Sequence, residues 1–199
     1  MNANTEELEL KERLILIESM IAQGRRTTES WGWTFVLWGV AYYAAIAWSA
    51  WGSGTLAWPV TMTAAGVLTG VVASRMKHDQ PETTLGRALG SVWIALGISI
   101  SLLMMSLAIS GKLEAHASVA IVSALLGMAN ATSSMILKWK VQFVCALAWW
   151  ATVLAACFGS DTQSSIAFLV AIFLCQIVFG VYCMIRETEE RKQQGAANA

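Results

Sequence analysis

The sequence predicts an all-α, polytopic membrane protein: six transmembrane helices preceded by a cytoplasmic N-terminal amphipathic helix. Three observations predict it. Of 199 residues, 56% are hydrophobic and only 13% charged, about half of the roughly 25% charge that soluble domains carry. The charges gather in short stretches between long apolar ones, the pattern of spanning helices. Lys and Arg also fall on alternate connections, as a polytopic helical protein requires.

The leader, residues 1–30, reads as a helix. Asn4 followed by Glu7 has capping-box character, and Gly24 offers a stop. Leu10, Leu14, Ile17 and Ile21 follow the 4-3-4 spacing of a coiled-coil seam. Residues 6–18 hold five Glu against one Lys and one Arg. A surface-bound helix normally carries basic flanks, so this one is expected to pack on protein through that seam. Either a second copy or the bundle's own inner loops would serve.

Six apolar stretches follow: Trp31–Trp51, Trp58–Ser74, Leu89–Ile109, Ala117–Leu137, Val141–Phe158 and Ser165–Ile185. At ~1.5 Å per residue each reaches about 26 to 32 Å, enough for a hydrocarbon core of roughly 30 Å. With the N-terminus inside, the inner segments hold Lys11, Arg13, Arg25, Arg26, Arg75, Lys77, Arg87, Lys138, Lys140, Arg186, Arg191 and Lys192. The outer loops hold only Lys112. Both termini are therefore expected in the cytoplasm. The division is 1–30 amphipathic helix, 31–186 six-helix bundle and 187–199 disordered tail. A cleaved signal peptide is not expected, because the first apolar run is too long and its leader is acidic.

Five of the ten tryptophans lie in WGWTFVLWGVAYYAAIAWSAW, residues 31–51. Amphipathic rings favour the headgroup level, which accounts for Trp31, Trp33, Trp48, Trp51, Trp58, Trp93 and Trp139 at predicted span ends. Trp38, Trp149 and Trp150 lie deeper. Asn130 and Gln176 fall near the middle of the fourth and sixth spans, and Tyr42 follows Trp38 by one turn. Trp38, Tyr42, Asn130, Trp149 and Gln176 are thus the expected ligand-binding residues for an amphipathic or aromatic molecule. The competing expectation is that the amides bond between helices while the indoles fill the core. Gly66-Val-Leu-Thr-Gly70 is a GxxxG suited to close helix approach.

Several classes are disfavoured. No ionisable residue occupies the central part of any span, where ion-coupled carriers and pumps place one. His78 and His116 fall on opposite sides and cannot share a haem or metal. The four cysteines lack CxxC spacing and read as small apolar residues, with Cys145 and Cys183 at one depth. Gly97-Ile-Ser99-Ile-Ser101 only half-matches GxSxG and has no histidine at its depth. No enzyme, cofactor, metal or nucleic-acid partner is expected; the lipid bilayer is.

LILIESMIAQGRR (14–26) followed by an aromatic span containing VLWG (36–39) resembles a group of small, uncharacterised bacterial multi-span inner-membrane proteins, over the first quarter of the chain. The resemblance implies a bacterial inner-membrane address, and the group has no assigned activity to carry over. The expected function is a non-catalytic sensor or accessory subunit binding a small amphipathic or aromatic ligand within the bundle. An uncoupled channel or carrier for a neutral or amphipathic solute is the alternative.

Overall fold

The computed structural model describes residues 3–51, 56–75 and 84–197. Most of the connection expected as the first outer loop, and the segment containing Lys77 and His78 that is expected inside, lie outside these. Among the described residues every regular element is helical: α1 (Ala3–Ser30), α2 (Gly32–Trp51), α3 (Ala57–Arg75), α4 (Thr84–Ile109), α5 (Ala115–Leu137), α6 (Lys140–Phe158), α7 (Asp161–Ile172), a π-helical stretch (Phe173–Val178) and α8 (Phe179–Ala197). α7, the π stretch and α8 follow without a break.

Five helices are long and apolar enough to cross a membrane: α3, α4, α5, α6 and the rod Asp161–Gln193. Gly32–Trp51, the first of the six spans read from the sequence, is not among them. It is uncharged and 20 residues long, but four tryptophans and two tyrosines lower its mean hydropathy relative to aliphatic helices. The membrane assignment therefore rests on five apolar helices rather than six.

Local chemistry sets the joints. Ser160 and Gln163 form a reciprocal capping box that starts α7, satisfying two orphan backbone donors. α5 ends at Lys138, whose left-handed backbone (φ 49°) turns the chain directly into α6. The Trp139 N–H returns to the Ser134 carbonyl at 2.9 Å, as helix C-terminal motifs require. Trp139 itself is buried and packs on Phe179 and Tyr182, so it belongs to the core and not to an interfacial belt.

α5, α6 and α7 form the packed centre. α3 lies outside α2, and α4 lies beside α5 and α1. α1 and α2 together run antiparallel to the final rod. Tyr43 donates to the Leu169 carbonyl at 2.8 Å, Gly39 faces Gln176 and Ile177, and Gly32 faces Gly180 and Cys183. Farther along, Glu29 lies 3.9 Å from Arg186 and Arg26 pairs with Glu190 at 3.1 Å. As the chain number falls along α1, its partner's number rises along α8, so the leader leaves the bundle alongside the rod.

Two expectations are corrected here. The segment after Arg186, read as a disordered tail, continues α8 to Ala197, held by Arg26–Glu190 and by Arg191–Glu187. Gly66 and Gly70 meet nothing within 4 Å, so that GxxxG makes no contact inside one copy. Close approaches between helices occur at Gly24, Gly32, Gly39, Gly127 and Gly180 instead.

Candidate functional site

The five expected residues divide into an aromatic row and a polar seam. Tyr42 is buried on α2, with its ring 6.2 Å from Trp58 and 6.2 Å from Phe168 of α7. Phe168 in turn lies 6.1 Å from Trp149 of α6. Phe168 therefore bridges two of the predicted residues, and the sequence reading passed over it because a phenylalanine in an apolar span carries no distinguishing signal. Trp38 is half-buried against the same core. The neighbouring Gly39 admits Gln176, because a Cβ at Gly39 would come within 2.9 Å of the glutamine Cβ.

Gln176 sits inside the π stretch and is buried. Two contacts pin this irregular turn. The Tyr43 hydroxyl donates to Leu169 one turn before it, and Cys175 donates through sulfur to the Cys145 carbonyl at 3.5 Å. Cys145 therefore meets Cys175, and Cys157 is exposed rather than buried. π turns inside helices recur at functional sites, which draws attention to Gln176.

The polar seam runs between α5 and α6. Asn130 is fully buried and its amide nitrogen donates to the Leu126 carbonyl at 2.9 Å, leaving Oδ1 without a partner. Trp149 is also fully buried, and its indole N–H has no acceptor. Ser123 Oγ, Ser133 Oγ and both amide atoms of Gln142 share this condition. Gly127 fixes the register: a Cβ there would lie 3.3 Å from the Trp149 Cβ and 2.5 Å from the Trp150 indole. Trp150, read as too deep for the belt, thus lies across Gly127 at the bundle surface.

Each buried polar group lacking a partner costs about 1–3 kcal/mol. Such a concentration along one helix pair is what a site for a polar or amphipathic molecule offers: an indole donor, an amide acceptor and aromatic walls. Gln142, Ser123 and Ser133 were absent from the expected set. Gln142 stands near the start of α6, where an amide reads as an interfacial residue. A shallow groove lined by Pro59, Thr63, Val67 and Val71 lies on α3, and none of the five expected residues lines it.

At the end of the bundle that carries the leader, Glu29 is buried among Arg186, Arg25, Arg26 and Glu190. Burial and then the Glu190 carboxylate raise its carboxyl above the usual value, opposed by Arg186, Arg25 and Arg26. At the opposite end His116 contacts Asp161 and lies 3.0 Å from the Ala156 carbonyl, tying together α5, α6 and α7. Compared with family models, with curated proteins and with solved structures, the chain finds no match.

Proposed function

We propose that this is a non-catalytic, six-span protein of a bacterial inner membrane, with both termini cytoplasmic. It acts as a sensor or accessory subunit that binds a small amphipathic or aromatic ligand among α2, α5, α6 and the π stretch. The single observation that carries the binding reading is that Asn130 Oδ1 and Trp149 Nε1, on the packed helices α5 and α6, are both buried and without a hydrogen-bond partner. A ligand that accepts from the indole and donates to the amide oxygen would remove both penalties at once. The sixth span is α2, which lies antiparallel along the final rod and shares its depth from Gly32 to Tyr43. The resemblance of residues 14–39 supports the bacterial address, and the excess of inner Lys and Arg supports the threading.

Trp38, Tyr42, Phe168 and Gln176 are the apolar and orienting walls of this site. Occupancy would tighten α5 against α6, and α5 ends where the leader is held. An uncoupled channel or carrier is the second reading. It is favoured by the file of buried Ser123, Asn130 and Ser133 along α5. Native mass spectrometry of the protein released from membranes tests the first reading. Wild type should retain a small molecule that Asn130→Ala loses, and a wild type free of any adduct would contradict it.

A further inference from the structure

The leader has an apolar face that its own bundle leaves uncovered. Leu10, Leu14 and Ile17 are 62%, 54% and 52% exposed, although apolar residues at this spacing on a charged helix are normally a packing stripe. The stripe descends through Ile21 to Gly24, which is wedged against Leu85 and Leu137. It is therefore a packing face that loses its partner where the bundle ends. Glu9, Glu12 and Glu18 on the same stretch oppose adsorption to an anionic lipid surface.

We infer that the leader pairs with the leader of a second copy as a short parallel two-stranded coiled coil. With Leu10 and Ile17 at d positions, Leu14 and Ile21 take a, Lys11 and Glu18 take e, and Arg13 takes g. In a parallel pair each g residue faces the e residue five places later on the other strand. Arg13 then meets Glu18 of the second copy, and by symmetry the contact forms twice. Both residues are exposed, and among the described residues neither has a partner. The parallel sense follows from threading. Two copies inserted alike send their leaders from the same membrane face, each directed outward along its own α8. A seam of this length is marginal in isolation, but two anchored bundles supply a high effective concentration. This pairing goes beyond the functional reading above, because it holds with or without a ligand in the bundle.

The test uses the full chain in lipid vesicles. Arg13→Glu and Glu18→Arg each turn two attractive contacts into two repulsive ones, so each variant alone should dimerise more weakly, on the order of tenfold. Mixed together, the two variants should recover the wild-type level as a heterodimer, since each then meets opposite charge. In a background lacking the native cysteines, Leu14→Cys should crosslink to itself across the seam, whereas Ser19→Cys, on the outer face, should not. A wild type that stays monomeric, single reversals without effect, a mixture that fails to recover, or crosslinking equal at both positions would each overturn the proposal.

Discussion

The guanidinium of Arg25 donates to the Leu137 carbonyl at 2.9 Å and to the Lys138 carbonyl at 2.6 Å, joining the leader to the end of α5. Those carbonyls lie past the reach of the helix's own N–H groups, and a cation at a helix C-terminus also meets the favourable end of the dipole. Arg25→Ala should loosen residues 21–30 by about 1 kcal/mol, the scale of partly exposed charged hydrogen bonds. Hydrogen exchange across that segment reads the change. Arg25→Lys should recover only part of it, because an ammonium cannot span two carbonyls as a planar fork does.

Glu29 makes the same attachment pH-dependent. Its carboxyl is raised from 4.5 by burial first and then by Glu190, so the unfolded or detached leader releases this proton at lower pH than the attached one. Attachment is then strongest near and below pH 4.5, and it weakens as pH rises through the raised value. Protease protection of the leader, followed upward from pH 4.5, should fall in wild type and stay flat in Glu29→Gln.

Gly32 and Gly180 bring α2 and α8 together backbone to backbone. A Cβ on Gly32 would lie 2.9 Å from the Gly180 carbonyl oxygen, and one on Gly180 would lie 2.8 Å from the Gly32 oxygen. Neither helix can yield cheaply, so Gly32→Ala or Gly180→Ala should cost about 1–3 kcal/mol, the range for overpacking. Gly66→Ala, facing open space in the middle of α3, should cost the isolated chain nothing and gain up to about 1 kcal/mol of helix propensity. Thermal unfolding in detergent measures all three.

The contrast between these glycines shows which parts of the fold were legible in the sequence. Five of the six spans were, because long apolar runs with few charges have few other uses; the aromatic run at Gly32–Trp51 is not among the helices apolar enough to cross. Which glycines meet a neighbour was not. Gly66 and Gly70 have the motif spacing, while Gly32 and Gly180 are far apart in the chain and carry no local pattern. The helical continuation beyond Arg186 was missed because a polar stretch gains its support from α1, through Arg26–Glu190, and not from its own periodicity. At the candidate site, Asn130 and Gln176 stood out as amides amid apolar residues. Phe168 could not stand out, since its role comes from lying between Tyr42 and Trp149.

Threading is open to direct labelling. In a chain whose four cysteines are replaced by alanine, an impermeant thiol reagent applied outside should modify Ser53→Cys and Thr162→Cys but leave Gln80→Cys untouched until the membrane is opened. Modification at position 80 from outside would reverse the assignment of both termini.

The binding claim turns on Asn130 and Trp149. As a packing residue alone, Asn130 makes only the bond within its own helix, from Nδ2 to the Leu126 carbonyl, and its removal should change stability by about 1 kcal/mol. As a site, it matters through ligand linkage, where a compound at a hundredfold excess over its Kd adds about 2.7 kcal/mol. The most direct measurement is a thermal-shift screen of aromatic amines and uncharged aromatic amphiphiles on wild type, Asn130→Ala and Trp149→Leu. At least one compound should raise the wild-type midpoint while leaving both variants unmoved. If no compound shifts wild type, or if all three proteins respond alike, the buried polar seam is packing and the binding reading is contradicted.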